Sequence, residues 1–388
     1  MSMRILHTAD WHLGRTLEGR SRLEEQEQFL AELVEVVKDQ KIDAILMAGD
    51  VFDTVNPPAT AEGMFYDSVA KLSQQGACPI ITIAGNHDSP NRLSASSPLA
   101  GVQNIHLFGY PVNNIVKVPV GGEMLEVAAL PYPSESRLNE LLSENSDEKE
   151  IRNSYDARIQ GIFSNLASQF TKGAVHMAMS HIHVAGGSAS DSERPIEVGG
   201  AYTVAATSLP EEAQYVALGH LHRPQNVGRA KTLARYSGSP LAYSFSEAGY
   251  TKSLSIIDVV PGGKAELTEI PINSGKPLVR WKAKHGIQEV YQWFEEGKDT
   301  SAWIDLEIHL TDALSMEEIH RLRKEHNGII HIRPVFHYEE TLSEEEKVKD
   351  IPIDEAFRRF YERQTGGGTP DSRLMELFLS LVHEEEEE

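Results

Sequence analysis

The sequence predicts an α/β protein: a main core, then a smaller α+β module, then a terminal pair of helices. Three observations predict it. Apolar strand-like runs alternate with helix-spaced segments through the first hundred or so of the 388 residues. Short strand-like pieces then dominate to about residue 272, and from Leu278 both kinds of segment alternate again over a shorter span. Alternation of this kind implies parallel strands joined by crossover helices.

In chain order, MRILHTAD (residues 3–10) reads as a strand, and Leu23, Leu30, Leu33, Val34 and Val37 recur at helical spacing. DAILMAGD (43–50) is a second apolar run, AEGMFYDSVAKLSQQG (61–76) is helical, and PIITIAGNHD (79–88) is a third run. All three runs end in polar residues, and open α/β sheets bind ligands at the carboxyl ends of their strands. NIHLFG, NNIVKVPV and EMLEVAALPYP follow as short strands, and LLSENSDEKEIRN (141–153) reads as a polar surface excursion. AVHMAMSH (174–181) and YVALGHLH (215–222) are strands that end in histidine; SLSIIDVV and KAELTEIPI close the core around a PGG turn. SGKP (274–277) is a linker, which sets a first domain at 1–274.

The second domain, 275–342, carries VRWKAKHGIQEVYQWFEEG, SAWIDLEIHL, MEEIHRLRKEHNG and IIHIRPVFHYEE. The third, 343–388, opens on the charged stretch SEEEKVKD. Asp354 is placed to cap a helix bearing Phe357, Phe360 and Tyr361. After TGGGTPDS, Thr369 and Pro370 suit the cap and first position of a second helix, with Leu374, Leu377, Phe378 and Leu381 on one stripe. Five glutamates end the chain. Helices this short are marginal alone and must pack on something.

Composition narrows the function. With 36 Lys+Arg against 58 Asp+Glu, the formal charge of −22 argues against a nucleic-acid binder that works alone. No apolar run is long enough to span a membrane, and MSMRILHTAD lacks a secretory leader. The single cysteine, Cys78, excludes an internal disulfide or a thiolate metal cluster and fits a reducing cytoplasm.

Five strand ends carry ligand-type residues: Asp10-x-His12, Gly49-Asp50-Val51-Phe52-Asp53, Gly85-Asn86-His87-Asp88, Ser180-His181-Ile182-His183 and Gly219-His220-Leu221-His222. Residues i and i+2 of an extended segment point the same way, which would aim Asp10 and His12 together. Carboxylate, carboxamide and imidazole without thiolate suit Mn²⁺, Fe²⁺ or Zn²⁺. The other histidines, such as His7, His106 and His176, lack such company and read as core or surface residues.

These motifs resemble those of the calcineurin-like metallophosphoesterases. The resemblance implies a two-sheet sandwich flanked by helices and two divalent ions, with Mn²⁺ the first choice. It assigns Asp10, His12, Asp50 and His222 to one metal, and Asp50, Asn86, His181 and His220 to the other, with Asp50 bridging. His181 and His183 share a face if the strand continues; in the family the ligand directly follows the apolar strand and a small residue, as in MAMSH, which selects His181. His87 corresponds to the family's non-ligand histidine, which contacts the phosphate and protonates the leaving oxygen. Asp88 would orient His87, and Asp53 would support the site or its turn; for both, a loop or helix cap is the competing role. Arg15, Arg20, Arg22 and Arg92 follow these motifs and could reach neighbouring phosphates.

HTADWHLGR, GNHDSPNRL and YSGSPLAYSFSEAGYTKSL further resemble the double-strand-break repair nuclease branch. That likeness implies 3′→5′ exonuclease action on duplex DNA ends and endonuclease action on single strands and hairpins. It also implies a homodimer within a heterotetramer, cytoplasmic and associated with the nucleoid. Residues 354–382 would dock on the coiled-coil base of an ATPase subunit that holds the DNA, which answers the charge objection. A small-molecule or cyclic-nucleotide phosphodiesterase would need only the first 270 or so residues, and a metal-stabilised scaffold would not need His87.

Overall fold

The structure is a computed structural model that describes residues 2–138, 148–193, 202–336, 352–365 and 369–385. It divides into two compact units, Met1–Phe336 and His337–Glu388.

The first unit begins with β1 (Met3–Thr8), a short ribbon of β2 (Thr16–Leu17) and β3 (Arg20–Ser21), and α1 (Leu23–Asp39). Then come β4 (Ala44–Met47), α2 (Ala59–Leu72), β5 (Ile80–Ile83), the short helices α3 (Pro90–Ser94) and α4 (Ser97–Ala100), and β6 (Ile105–Phe108). β7 (Val116–Val120), β8 (Glu123–Leu130), α5 (Glu135–Leu138), α6 (Glu148–Ala167), β9 (Val175–His181) and β10 (Tyr215–Gly219) follow. β11 (Gln225–Asn226), β12 (Leu233–Tyr236), β13 (Ser253–Val259) and β14 (Glu266–Pro271) complete two six-stranded sheets.

One sheet runs β14-β13-β1-β4-β5-β6 and the other β11-β12-β10-β9-β8-β7. In the first, β1, β4, β5 and β6 are parallel, as the strand–helix rhythm predicts. The sheets face each other across a core that includes Ile5, Leu46 and Ile81 from one and Val127, Met177 and Tyr215 from the other. On the outer face of the first sheet, Phe29, Leu33 and Val37 of α1 and Phe65 of α2 pack with Leu6 and Ile45. Both faces are thus buried, which explains strands that read as continuous apolar runs.

The outer face of the second sheet is covered by α6, which sequence patterning missed. The part of the supposed polar excursion at 141–147 lies outside the described residues, but Glu148–Ala167 is a helix. Tyr155, Ile159, Phe163 and Leu166 are fully buried from it, at spacings of four, four and three. Its charged beginning conceals that stripe. Burying side chains of this size contributes about 1.5–3 kcal/mol each.

β15 (Leu278–Ala283), α7 (Ile287–Glu295), β16 (Trp303–Leu310), α8 (Met316–Glu325) and β17 (Ile329–Phe336) form a three-stranded parallel sheet with its own core of Trp281, Val290, Leu306 and Leu322. Glu25 of α1 ties this module to the body: it accepts hydrogen bonds from Trp303 Nε1 at 2.9 Å and Lys276 N at 2.6 Å. Leu17 and Phe245 pack with Leu278, Trp303 and Ile330 beside that joint.

In the second unit, α9 (Ile353–Thr365) and α10 (Ser372–Glu385) stack Phe357 on Phe378, ring centroids 4.0 Å apart. Asp354 lies inside the first turn of α9 rather than before it. For α10 the cap is Asp371, whose Oδ1 accepts from Leu374 N at 2.8 Å, and not Thr369. A carboxylate two residues later offers a stronger acceptor to the open N–H groups.

Candidate metal centre

The carboxyl ends of β1, β4 and β5 in one sheet and of β9 and β10 in the other meet at one edge of the sandwich. His181 Nδ1, at the end of β9, donates to Ala48 O at 2.9 Å, and His220 N, after β10, donates to Asp10 Oδ1 at 2.9 Å. The approach is close enough to require glycine. A Cβ on Gly219 would collide with Ala48 O, and one on Gly85 would collide with the Asp50 carboxylate. This accounts for the Gly that precedes the polar residues of GHLH and GNHD.

Asp10 and His12 do not reach the site by strand alternation. β1 ends at Thr8, and Asp10 and His12 have φ of 55° and 45°. Asp50 (φ 50°) and His220 (φ 103°) are left-handed as well. Each such conformation costs about 1–3 kcal/mol for a non-glycine residue, and these accumulate at functional sites. The backbone is held by Asp10 N to Gly49 O and His12 N to Asp50 O, both at 3.0 Å.

Among the described residues, three clusters of potential ligand atoms result: Asp10, His12 and His222; Asp10, Asp50 and His181; and His12, Asp53 and His87. His12 Nε2 lies 3.0 Å from His222 Nε2. His181 Nε2 lies 2.9 Å from Asn86 Oδ1 and 3.3 Å from Asp50 Oδ2. The His220 ring is 5.5 Å from that of His181 and 6.1 Å from that of His183. All seven side chains expected as ligands therefore come to one neighbourhood, and His181 faces Asn86 and Asp50 directly.

Burial and close pairing perturb several ionisable groups at this edge. Burial raises the Asp10 carboxyl well above the usual carboxylate range, with Asp50 adding to the effect against His181. Burial would do the same to Asp50, but His181 and His12 hold it well below its ordinary value. Conversely, burial would lower His181, yet Asp50 and Asp10 lift it to about 9. Burial presses His12 down to about 3 and His220 well below its ordinary value. Because His181 Nδ1–H is committed to Ala48 O, any further proton must sit on Nε2, between Asn86 Oδ1 and Asp50. That is where a bound cation would be welcomed. The buried Asn86 Nδ2 has no hydrogen-bond partner, and His12 Nδ1 faces only Asp53 Oδ1 at 3.5 Å, a further mark of side chains not fully satisfied by one another. The donor set fits a pair of divalent ions.

His87 is half-buried beside this cluster, its ring centroid 4.8 Å from that of His12. Its Nδ1 meets Asp53 O at 2.6 Å and its N–H donates to Asp50 Oδ1 at 2.9 Å. Asp88, expected to orient His87, instead ties two loops together. Its carboxylate accepts from Gly85 N at 2.8 Å, Phe52 N at 2.9 Å and Val51 N at 3.2 Å. Burial raises it to about 6, with Asp50 contributing. Of the four arginines, Arg22 is buried in a fork on Glu25 at 2.5 and 2.7 Å and is withdrawn from phosphates. Arg92 pairs with Glu62 at 2.9 Å, Arg15 Nη2 donates to Ser192 O at 2.7 Å, and Arg20 is exposed.

Sequence reasoning missed several groups. Arg137 donates to Gly85 O and Asp88 O, both at 2.8 Å, and clamps the GNHD loop. Glu193 Oε1 accepts from His222 N at 2.8 Å. Neither lies in a strand-end motif, so local patterning carried no signal for them. His7 and Cys78 are buried core residues as expected; burial moves the first to about 3 and the second to about 12. Among the described residues, no helix is long and apolar enough to cross a membrane.

The chain is similar to known families and proteins. The calcineurin-like phosphoesterase family model matches residues 3–224, and the model described as type 5 capsule protein repressor C-terminal domain matches residues 274–365. The SbcD subunit of nuclease SbcCD from Bacillus subtilis is 61% identical over 388 residues, 100% of this chain and 99% of its own. The protein of that name in Escherichia coli K12 is 28% identical, with 98% of each chain covered. Among solved structures, a dimetal phosphatase from Danio rerio aligns with 70% of this chain and 99% of its own at 11% identity and a TM-score of 0.39.

Proposed function

The chain belongs to the calcineurin-like phosphoesterases, in the family of the SbcD subunit of nuclease SbcCD, and from that premise we propose that it is the DNA-cutting subunit of an SbcCD complex. It is a metal-dependent hydrolase. It works with the ATPase SbcC in DNA end processing, repair and recombination, as a 3′→5′ exonuclease on duplex ends and an endonuclease on single strands and hairpins. The observation that carries this reading is the convergence of His12, His181 and His222 Nε2 atoms with buried Asp10, Asp50 and the Asn86 carboxamide.

Asp10, His12, Asp50 and His222 would hold one ion, and Asp50, Asn86, His181 and His220 would hold the other. Both are Mn²⁺ in this reading, a borderline-hard ion suited to oxygen and imidazole donors. Two such ions supply an activated water nucleophile and neutralise charge on the phosphoryl oxygens. The protein's own groups do the rest. His87 contacts the scissile phosphate; with Nδ1–H donated to Asp53 O, the doubly protonated ring gives its Nε2 proton to the departing sugar oxygen and is left as the neutral Nδ1–H imidazole. Asp88 and Arg137 keep the loops that carry Asp50, Asn86 and His87 in register.

Residues 1–274 form the nuclease domain and 275–342 the cap. Residues 343–388 carry the partner-binding helices and acidic tail, with SbcC engaged through 354–382. The exposed Ile353, Phe360 and Leu377 support that docking role. The subunit pairs with a second copy in a heterotetramer that acts at the nucleoid in the cytoplasm, with SbcC supplying the DNA grip that a chain of charge −22 lacks.

The test is an assay of the purified chain with Mn²⁺ on linear duplex, hairpin and cyclic nucleotide, with and without SbcC and ATP. Mn²⁺-dependent cutting of hairpins, and ATP-stimulated degradation of duplex ends only when SbcC is present, is the expected result. Hydrolysis of the cyclic nucleotide with DNA left intact would replace this reading with that of a small-molecule phosphodiesterase.

A further inference from the structure

The stretch YSGSPLAYSFSEAGYTKSL (236–254) carries a resemblance but, in the sequence, no chemistry. In the structure it sets two buried charges behind His222. Lys252 Nζ forms an ion pair with Glu247 Oε2 and also donates to Ser239 Oγ at 2.8 Å and His222 O at 2.9 Å. Those three contacts use all three ammonium donors. Glu247 Oε1 accepts from Tyr243 N at 3.1 Å and from Ser192 Oγ at 2.6 Å. Ser192 Oγ in turn lies 2.5 Å from His222 Nδ1. Ser192, Glu247 and Lys252 are 5%, 1% and 8% exposed, so bulk water does not mediate these contacts.

Counting protons gives the line a direction. A carboxylate in an ion pair only accepts, so the single Ser192 proton points to Glu247. Its other neighbour, Ser190 Oγ at 2.8 Å, already donates to Glu193 Oε2 at 2.6 Å and can only receive from Ser192 as well. On either path the Ser192 proton points away from His222. The serine oxygen must then receive a proton from His222 Nδ1, which leaves the Nε2 lone pair bare, facing His12.

We propose that Glu247, acting through the Ser192 hydroxyl and held by Lys252, is a positioning residue that fixes His222 as the Nδ1–H tautomer and so aims Nε2 as a metal donor. A ligating histidine commonly donates its second nitrogen to a carboxylate; here a serine is interposed. The inference rests on the reading of His222 as a ligand given above. Ser192 and Glu247 stand 55 residues apart, so the relay exists only in the folded chain.

Two measurements test it. In the metal-free, ¹⁵N-histidine-labelled full chain, the His222 resonances, identified by their loss in His222→Ala, report the tautomer directly. Titration calorimetry with Mn²⁺ alone reports affinity at each site. Glu247→Gln keeps the shape, and with its carbonyl turned to the Lys252 ammonium its amide donates to Ser192, which turns the hydroxyl round and favours the Nε2–H form. The expected result is an Nδ1–H parent, reversal in Glu247→Gln, and one of two Mn²⁺ affinities lowered by about 10–100-fold. Ser192→Ala should weaken the same site, and Ser192→Thr should retain parental affinity. An Nε2–H tautomer in the parent, or parental tautomer and affinity in both Glu247→Gln and Ser192→Ala, would overturn the proposal. If Glu247→Gln does not fold with Lys252 left unpaired, the Ser192→Ala and Ser192→Thr pair decides. A parent that binds no Mn²⁺ would remove the ligand reading of the site, whereas the tautomer, read without metal, still decides the relay.

Discussion

At the strand ends, Asp10, His12, Asp50 and His181 are 0–2% exposed; in the terminal helices, Ile353, Phe360 and Leu377 are 50–57% exposed. Polar groups are inside in one region and apolar groups outside in the other. Burying ionisable groups this deeply is expensive unless they are paired or coordinate metal. Apolar stripes left in water on short helices are equally unfavourable unless something covers them. On the proposed function, each departure from the ordinary burial pattern is a surface that something else completes, an ion in the first case and the partner subunit in the second.

Glu126 gives a third case that sharpens the contrast. It too is fully buried, but Lys117 Nζ at 2.8 Å, Thr171 N at 2.6 Å and Thr171 Oγ1 at 2.7 Å satisfy it within the chain. A buried carboxylate is therefore not by itself a ligand; what separates Asp10 and Asp50 is that each lies in a cluster of ligand-type side chains, whereas Glu126 has one such neighbour, His176 Nε2 at 3.6 Å.

The strongest attempt to break the comparison is Asp50→Ala, which removes the carboxylate shared by both sides of the site. Mn²⁺-dependent nuclease activity should fall to background, and calorimetry should show loss of Mn²⁺ binding. His87→Ala should lower turnover by about 10²–10⁴-fold, the range for losing a general acid, while Mn²⁺ affinity stays at the parental value. Loss of metal binding in that variant would mean that His87 belongs with the ligands. On the apolar side, Leu377→Asp should weaken SbcC binding by about 30-fold, corresponding to roughly 2 kcal/mol for a well-packed interface residue. Hairpin cutting by the isolated chain should be unaffected.

The smallest effect is expected from Glu126→Gln, which should cost about 1–3 kcal/mol in denaturant unfolding at neutral pH, equally with and without Mn²⁺. Burial would raise the Glu126 carboxyl, but Lys117 and Thr171 hold it below its ordinary 4.5. Its stabilisation is thus present above pH 4.5 and is lost as pH falls through the lower folded value. A metal-dependent effect of this substitution would blur the distinction between the internally satisfied carboxylate and those of the site.

Much of the site was legible because ligand-type residues crowd short strand ends: Asp10, His12, Asp50, Asn86, His87, His220 and His222 all stand in compact motifs after apolar runs. What was not legible falls into two classes. Some local conformations defied the pattern: the extended pairing supposed for Asp10 and His12 gives way to two left-handed residues, because β1 stops at Thr8 and the backbone is captured by Gly49 O and Asp50 O. Other failures were partnerships. Arg22 was available to phosphates on paper but is taken by Glu25, three residues on and buried with it. Asp88 stands beside His87 in sequence yet serves the backbone of another loop.

By itself, the sequence determined the parallel core, the change of pattern near Leu278, the two terminal amphipathic helices and the kind of ion the donors suit. Those depend on residue type and short-range spacing, which the chain carries locally. The tertiary structure alone decided that His181 and His222 turn Nε2 to the cluster, that Asp10 and Asp50 are driven in opposite directions, and that Glu247 and Lys252 stand behind His222. Such properties depend on distances between segments up to 210 residues apart, as in the contact of Asp10 with His220. Distances of that kind come into being only when two sheets close on one another and exclude water from the edge between them.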